Sequence, residues 1–97
     1  MAKFGLKLTK RYLRDLKIAR KRGMDESLLN EIIAKLIDDI PLPEKNRDHR
    51  LRGDYEGYRE CHITPDWLLI YVKDTDIKII SLSRTGTHSD LFGKKKR

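Results

Sequence analysis

Three short runs rich in β-branched and aromatic residues follow one another in the second half of the chain, and they constrain the fold more than any other feature. The runs cover residues 58–63, 67–72 and 77–82, and their composition is typical of strands. The segments between them, residues 64–66 and 73–76, consist of turn-forming residues. Connections this short join antiparallel neighbours, so the sequence predicts a meander. Residues 67–72 are almost entirely apolar, which predicts a central strand covered on both faces.

The first half is predicted to form one strand and two helices. Residues 3–8 alternate between apolar and polar, which indicates a short half-buried strand. Thr9 can cap a helix that Gly23 stops, and Asp25 can cap a second helix that Pro41 ends. Because so few residues separate the two helices, they should form an antiparallel hairpin whose apolar side covers a sheet. The residues expected to face the core are Phe4, Leu6 and Leu8 of the strand, Tyr12, Leu13, Leu16 and Ala19 of the first helix, and Leu28, Leu29, Ile32, Ile33, Leu36, Ile37 and Ile40 of the second.

The predicted fold class is therefore α+β, with an N-terminal strand and a helical hairpin packed on one face of a small, mostly antiparallel sheet. The 97 residues suffice for one core, and no internal repeat is present, so residues 1–97 are expected to be a single domain that ends in a basic tail at 94–97. No apolar run approaches the roughly 20 residues of a membrane helix, and a signal peptide is lacking. The only cysteine, Cys61, excludes an internal disulfide and is expected to be a buried strand residue. These features predict a cytoplasmic protein without membrane contact.

The charge of the chain predicts a polyanionic partner. Lys and Arg number 22 against 15 Asp and Glu, which gives a net charge of +7. Such a surplus attracts nucleic acid by electrostatic steering and counterion release. Lys10, Arg14 and Lys17 recur at helical spacing on the first predicted helix. This stripe is a candidate RNA or ribosome contact, and the alternative is an ordinary solvated helix face.

All three histidines, His49, His62 and His88, lie in the second half of the chain. In a three-stranded meander, alternate strand ends return to the same edge of the sheet. His62 and His88 should therefore meet at one rim together with Asp66 and Arg84. The connector before the meander has to bring His49 there, and its path does not follow from the hydrophobic pattern.

These side chains suit the cleavage of RNA without a metal. The reaction needs a base for the 2′-hydroxyl, a cation for the phosphorane and an acid for the departing 5′-oxygen. Imidazoles can transfer protons near neutral pH, and a guanidinium binds phosphate oxygens. Tyr58, Trp67 and Phe92 could stack on bases, although Trp67 and Phe92 could equally belong to the core. A zinc site is the chemical alternative, but no histidine pair has helical spacing and no second carboxylate adjoins Asp66. Histidines that merely occupy loops are the third interpretation.

Three blocks in this half carry a resemblance to a known family. They are DHRLRG at residues 48–53, GYRECHITPDWLLIY at 57–71 and RTGTHSDLF at 84–92. Together they resemble the YafQ family of bacterial toxins, within the RelE/ParE group of toxin–antitoxin systems. The resemblance implies a RelE-like fold and a ribosome-dependent endoribonuclease that needs no metal or other cofactor and cuts mRNA in the A site, inhibiting translation. It also implies three kinds of partner: a cognate antitoxin, the ribosome with its mRNA, and operator DNA bound by the toxin–antitoxin complex.

By the same resemblance, the catalytic residues are His49, His62, Asp66, Arg84 and His88, and Trp67 and Phe92 lie near the site. As a hypothesis, Asp66 or His62 acts as base, His88 as acid and Arg84 as phosphate clamp, while His49 orients the RNA or shares the proton transfer. A different class of function remains open: relatives with this fold include ParE-type gyrase poisons, and a non-enzymatic relative could bind only nucleic acid or a protein partner. A pure binding protein has no need to gather histidines, so the histidine set favours the nuclease.

Overall fold

A computed structural model describes residues 2–93, so the predicted basic tail at 94–97 lies outside the described residues. These residues form a five-stranded sheet in the order β1-β5-β4-β3-β2. Strand β1 runs parallel to β5, and the other three pairs are antiparallel. The elements are β1 Gly5–Leu8, α1 Lys10–Lys21, α2 Glu26–Ile37, β2 His49–Arg50, β3 Arg59–Thr64, β4 Trp67–Asp74, β5 Ile79–Gly86 and α3 His88–Phe92. The predicted α+β class, with helices on a mostly antiparallel sheet, is confirmed.

The helix starts follow the predicted caps. Thr9 Oγ1 accepts a hydrogen bond from the Tyr12 amide at 3.1 Å and donates one to the Leu82 carbonyl at 3.0 Å. This hydroxyl therefore caps α1 and also ties it to β5. Asp25 caps α2 through the Ser27 amide, as predicted. Helix α2 ends at Ile37 and does not run on to Pro41, because the following Asp39 adopts a left-handed conformation with φ 59°.

Strand β4 lies at the centre of the sheet and is covered on both faces. Leu68, Leu69 and Ile70 are fully buried. Leu69 packs with the apolar sides of α1 and α2, and Leu68 and Ile70 pack with Leu91 on the opposite face. Tyr55, Tyr58 and Leu51 border this second cluster. The prediction of a central strand buried on both faces is confirmed.

Several residues expected in the core are on the surface. Leu6 and Leu8 are each 44% exposed, because β1 pairs on one side only and forms the edge of the sheet. On α1, Tyr12, Leu16 and Ala19 point inward, which leaves the Leu13 side chain turned outward and 42% exposed. On and after α2, Leu28 and Ile40 are also exposed. The prediction was wrong for these five residues.

The strands differ from the predictions in one additional strand and in the bounds of β1 and β5, which begin at Gly5 and Ile79. The connector contains a two-residue strand, β2, that pairs antiparallel with β3, and its polar sequence gave no strand pattern. Strand β5 continues to Gly86, so Arg84 lies inside a strand and does not follow it. Cys61 is fully buried on β3, and burial raises the pKa of its thiol. No helix within residues 2–93 is long and apolar enough to span a membrane.

Candidate active site

The three imidazoles stand in a row, with the Asp66 carboxylate beside His88 and the Glu60 carboxylate beside both His49 and His62. His49 lies on β2, His62 on β3, and His88 is the first residue of α3. The ring centroids of His49 and His62 are 6.4 Å apart, and those of His62 and His88 are 5.8 Å apart. At one end, Asp66 Oδ1 lies 3.0 Å from His88 Nδ1. At the other end, Glu60 Oε1 lies 3.4 Å from His49 Nε2. These five side chains are called the imidazole row below.

The end of the row at His88 is built by the β3–β4 turn and by the start of α3. Asp66 occupies the turn between the two strands, and its carboxylate also accepts from the His88 amide at 3.4 Å. Thr87 caps α3 in a reciprocal pair with Asp90. A Cβ at Gly86 would lie 2.9 Å from Asp90 Cβ, so glycine is needed for α3 to approach β5 this closely. The cap and the glycine together fix His88 beside Asp66.

The other end of the row depends on tertiary contacts of the connector. Asn46 is buried and its amide nitrogen donates to the His62 carbonyl at 2.7 Å. Asp48 accepts from the Tyr71 hydroxyl at 2.6 Å and from Arg59 Nε at 3.3 Å. Burial, together with the hydrogen bond to Asp48, raises the pKa of Tyr71 well above its usual value. These contacts hold the connector against the sheet, so that His49 stands opposite Glu60 in the β2–β3 register.

Hydrogen-bond partners determine which ring nitrogens carry protons. His49 Nδ1 lies 2.6 Å from the carbonyl oxygen of Arg47, which can only accept, so Nδ1 must carry a hydrogen. His88 Nδ1 faces the carboxylate of Asp66 and therefore donates as well. The hydrogen bond from His88 lowers the pKa of Asp66. This arrangement leaves Nε2 of His88 as the nitrogen that can face a substrate, on a side chain that is 54% exposed.

Glu60 is a member of the row that the sequence analysis missed. It is 5% exposed, and its Oε1 lies 3.4 Å from His49 Nε2 and 3.8 Å from His62 Nε2. Its Oε2 is buried without a hydrogen-bond partner among residues 2–93, a situation that typically costs about 1–3 kcal/mol. One signal was available in the sequence: Glu60 precedes His62 by two positions on a predicted strand, and such residues share a face.

The side chain of Arg84 contacts helix α1. Its Nε donates to Asp15 Oδ2 at 2.7 Å and its Nη2 to Asp15 Oδ1 at 3.2 Å. Asp15, on α1, also accepts from the Thr85 amide at 3.1 Å. The hydrogen bond to Asp15 raises the pKa of Arg84. Within residues 2–93 the guanidinium therefore has a carboxylate partner on α1 and donates no hydrogen bond to the row.

The predicted RNA-contacting residues have different surroundings. Trp67 is 3% exposed in the core beneath the helices, so its ring is not available to stack on a base, and the prediction is corrected here. Phe92 is 39% exposed and packs edge-on against Tyr55 at 5.6 Å. Tyr55 in turn contacts Tyr58 at 5.8 Å. The three basic residues of α1 that were predicted to contact RNA, Lys10, Arg14 and Lys17, are all exposed.

The histidine and carboxylate side chains of the row do not converge on a metal site. Among residues 2–93, no three side chains of His, Cys, Asp or Glu converge closely enough to hold an ion. Instead, His88 is hydrogen-bonded to Asp66, His49 and His62 face Glu60, and neighbouring ring centroids lie 5.8 or 6.4 Å apart. The arrangement can hold protons at defined ring nitrogens next to an open surface, which is what general acid–base chemistry requires.

Comparison with known proteins identifies close relatives. A family described as "Bacterial toxin of type II toxin-antitoxin system, YafQ" matches residues 4–93. The mRNA interferase toxin YafQ of Escherichia coli K12 is 47% identical over 83 residues, which cover 84% of this chain and 88% of the relative. The toxin in the crystal structure of the E. coli DinJ–YafQ toxin–antitoxin complex is 39% identical with a TM-score of 0.86, covering 94% of this chain and 99% of that one. A metal-bound toxin from Helicobacter pylori is 38% identical with a TM-score of 0.86, covering 92% and 99%.

Proposed function

This chain belongs to the YafQ family of toxins of bacterial type II toxin–antitoxin systems, and from that premise we propose that it is an endoribonuclease that cleaves mRNA. The observation that carries the proposal is the imidazole row on an open edge of the sheet, with His62 between two further imidazoles. The name of the E. coli relative, an mRNA interferase, points to the same substrate. The 97 residues would act as one domain.

The reaction is attack by the 2′-hydroxyl on its own 3′-phosphate. A base removes the 2′-proton, the 2′-oxygen bonds to phosphorus, and the bond to the 5′-oxygen breaks as an acid protonates it. The products are a 2′,3′-cyclic phosphate and a 5′-hydroxyl. We assign His88 as the acid, because Asp66 holds its Nδ1 and leaves Nε2 for the leaving group. His62 is the better base of the two candidates, because the hydrogen bond from His88 lowers the pKa of Asp66 and weakens it as a base.

Arg84 would stabilise charge on the phosphate from a fixed position. Asp15 takes two of its N–H donors, and a guanidinium has five. The remaining donors can reach a phosphate oxygen while Asp15 keeps the group oriented. Arg84 then acts as a preorganised cation, and such groups cost little reorganisation when charge develops.

The exposed character of the site supports dependence on the ribosome. His49 and His88 are 46% and 54% exposed at the side chain, so residues 2–93 present these two imidazoles on an open surface. We propose that the ribosome presents the mRNA in its A site, in the cytoplasm, and that Lys10, Arg14 and Lys17 contact ribosomal phosphates. By analogy with the E. coli complex with DinJ, a cognate antitoxin would neutralise this chain, and the pair would bind operator DNA.

Replacing His88 tests the proposal. His88→Ala should lower single-turnover cleavage of ribosome-bound mRNA by about 10²–10⁴-fold, the usual contribution of a proton-transfer group. Ser89→Ala, at the neighbouring exposed position of α3, is the matched control and should cleave normally. Wild-type cleavage by the His88 variant would remove the assignment.

Two further experiments distinguish the proposal from a metal-dependent mechanism and from a gyrase poison. A chelator that binds transition metals and spares Mg²⁺ should leave cleavage unchanged. Loss of cleavage that added metal restores would instead favour a metal mechanism, an alternative worth testing because the H. pylori relative is a metal-bound toxin. A gyrase poison of the ParE type would stop DNA replication before translation. We expect translation to stop first after induction.

A further inference from the structure

We propose that Glu60 is a positioning residue of this site: its buried carboxylate holds a proton on Nε2 of His49 and keeps that imidazole positively charged next to His62. The placement of the proton follows from contacts within the protein. Only its effect on RNA cleavage rests on the proposed function.

The first step concerns the two nitrogens of His49. Nδ1 faces the Arg47 carbonyl at 2.6 Å and must be protonated. If His49 were neutral, Nε2 would then present its lone pair to Glu60 Oε1 at 3.4 Å, and two acceptors would face each other. The contact is attractive only when a proton lies between these two atoms. Arg47 adopts a left-handed conformation with φ 46°. This conformation is unfavourable for a residue with a side chain, and with it the Arg47 carbonyl lies against Nδ1.

The second step locates that proton on the imidazole. Glu60 is only 5% exposed, and its Oε2 has no partner among residues 2–93. If Glu60 were protonated, its carboxyl could donate to only one ring nitrogen. Its Oε1 faces two, because it also lies 3.8 Å from His62 Nε2. At 3.4 and 3.8 Å these are charge contacts, and a carboxylate attracts a ring nitrogen that carries a hydrogen more strongly than a neutral carboxyl does.

The groups that surround Glu60 agree with this assignment. From β2 it faces His49, on its own strand it faces His62, and its partner in the β4 register is the buried Ile70. The neighbouring cation on β3, Arg59, donates instead to Asp48 and Tyr71. His88, from α3, reaches only the far side of His62. Within the described part of the chain, the charge that can balance Glu60 therefore comes from imidazole.

The consequence is a division of roles among the histidines. One ring nitrogen of His49 is hydrogen-bonded to the Arg47 carbonyl and the other faces the Glu60 carboxylate, so we assign His49 a positioning role and not a proton transfer to RNA. It serves as a fixed cation whose ring centre is 6.4 Å from that of His62. The same carboxylate also lies 3.8 Å from His62 Nε2, so Glu60 positions the base candidate as well as its neighbour.

The experiment compares wild type with Glu60→Gln, which keeps the size of the side chain and removes its charge. Ring-nitrogen chemical shifts, measured by ¹H–¹⁵N NMR at neutral pH, report which nitrogens carry protons. The wild type should show His49 protonated at both nitrogens, and Glu60→Gln should show protonation at Nδ1 alone. Glu31→Gln, an exposed glutamate of α2, is the matched control and should leave the His49 signals unchanged.

The same variants are assayed for cleavage. Glu60→Gln should lower the single-turnover rate by roughly 10- to 100-fold, the range seen when a carboxylate behind a metal-bound histidine is lost, with KM unchanged. Glu60→Asp should restore part of the rate, because it restores the charge. A merely structural role would lower thermal stability in both variants without changing His49 protonation.

The outcomes separate this inference from the proposed function. A neutral His49 in the wild type overturns the inference, and this result does not depend on whether any variant folds. A charged His49 in folded Glu60→Gln, or unchanged cleavage by that variant, also overturns it. If wild type shows the expected protonation but cleaves no ribosome-bound mRNA, the proton placement stands and the proposed function fails.

Discussion

Asp66 and Glu60, the two carboxylates of the imidazole row, act on their histidines from opposite surroundings. The Asp66 side chain is 71% exposed, and that of Glu60 is 7% exposed. Water screens the charge of Asp66, so its main effect on His88 is to select the tautomer and orient the ring. Little water reaches Glu60, so its charge acts on His49 with much less screening. One carboxylate therefore acts mainly by orienting its imidazole, and the other acts mainly through its charge.

Phe92 is exposed and Trp67 is buried, and this difference gives a prediction for each. Phe92 follows His88 by four positions, so the two side chains share a face of α3. Phe92→Ala should raise KM for the ribosome–mRNA complex by the loss of roughly 1–3 kcal/mol of base stacking, with a change in unfolding free energy below about 1 kcal/mol. Urea unfolding and cleavage assays measure both quantities.

Trp67 should give the reverse result, because it is buried. Trp67→Phe should lower the free energy of unfolding by roughly 1–3 kcal/mol, as large-to-small core replacements do. At temperatures where the variant is folded, its KM should equal that of the wild type. A variant with a raised KM and unchanged stability would show that Trp67 contacts RNA after all.

Among the secondary-structure elements, the sequence determined those with a strong local pattern. The Trp67 strand and the two capped helices were predicted because caps and apolar runs are local signals. Strand β2 was not, because its residues, His49 and Arg50, are both polar and pair only through the fold. The end of β5 was missed for a similar reason: residues 83–86 lack apolar alternation, and a register shift opposite Ile70 and Tyr71 accommodates them.

The site residues that the sequence predicted are likewise those whose positions follow from local patterns. Meander geometry alone placed His62, Asp66, Arg84 and His88 at one rim, because short turns bring alternate strand ends to the same edge, and it did not indicate that Arg84 would pair with Asp15. The position of His49 depends on Asn46 and on the contacts of Asp48 with Tyr71, which are distant in sequence. The Asp15 partner of Arg84 is 69 residues away, and no local pattern relates the two.

The Arg84–Asp15 pair joins α1 to β5 and gives a prediction for the stability of that junction. Their side chains are 17% and 11% exposed, so solvent screens the pair only partly. Asp15→Asn should lower the free energy of unfolding by roughly 1.5–3 kcal/mol, the range for hydrogen bonds to charged groups, and should also lower cleavage because Arg84 loses its orientation. Urea unfolding measures the first effect.

A second ion pair provides the control for this measurement. Arg20 and Glu26 form a similar bidentate contact, but their side chains are 57% and 35% exposed. Glu26→Gln should change the unfolding free energy much less than Asp15→Asn does, because exposed pairs contribute little. Equal losses in the two variants would contradict the structural role assigned to Asp15.

For the molecule as a whole, small size and positive charge define how it can act. The net charge of +7 favours association with polyanions such as RNA, and in the proposed function another body would hold the mRNA against the open row of side chains. The protein would contribute protons and positive charge at defined positions, and the ribosome would contribute the position of the substrate. Cleavage of free RNA should accordingly be far slower than cleavage on the ribosome.

The central claim is that imidazoles move the protons while the 2′-oxygen attacks the phosphate. The most direct measurement is the chemical identity of the new 3′ end, determined by mass spectrometry after one turnover on ribosome-bound mRNA in the presence of the transition-metal chelator. We predict a 2′,3′-cyclic phosphate with a 5′-hydroxyl on the downstream fragment. A 3′-hydroxyl with a 5′-phosphate, the result of attack by water, would contradict the account.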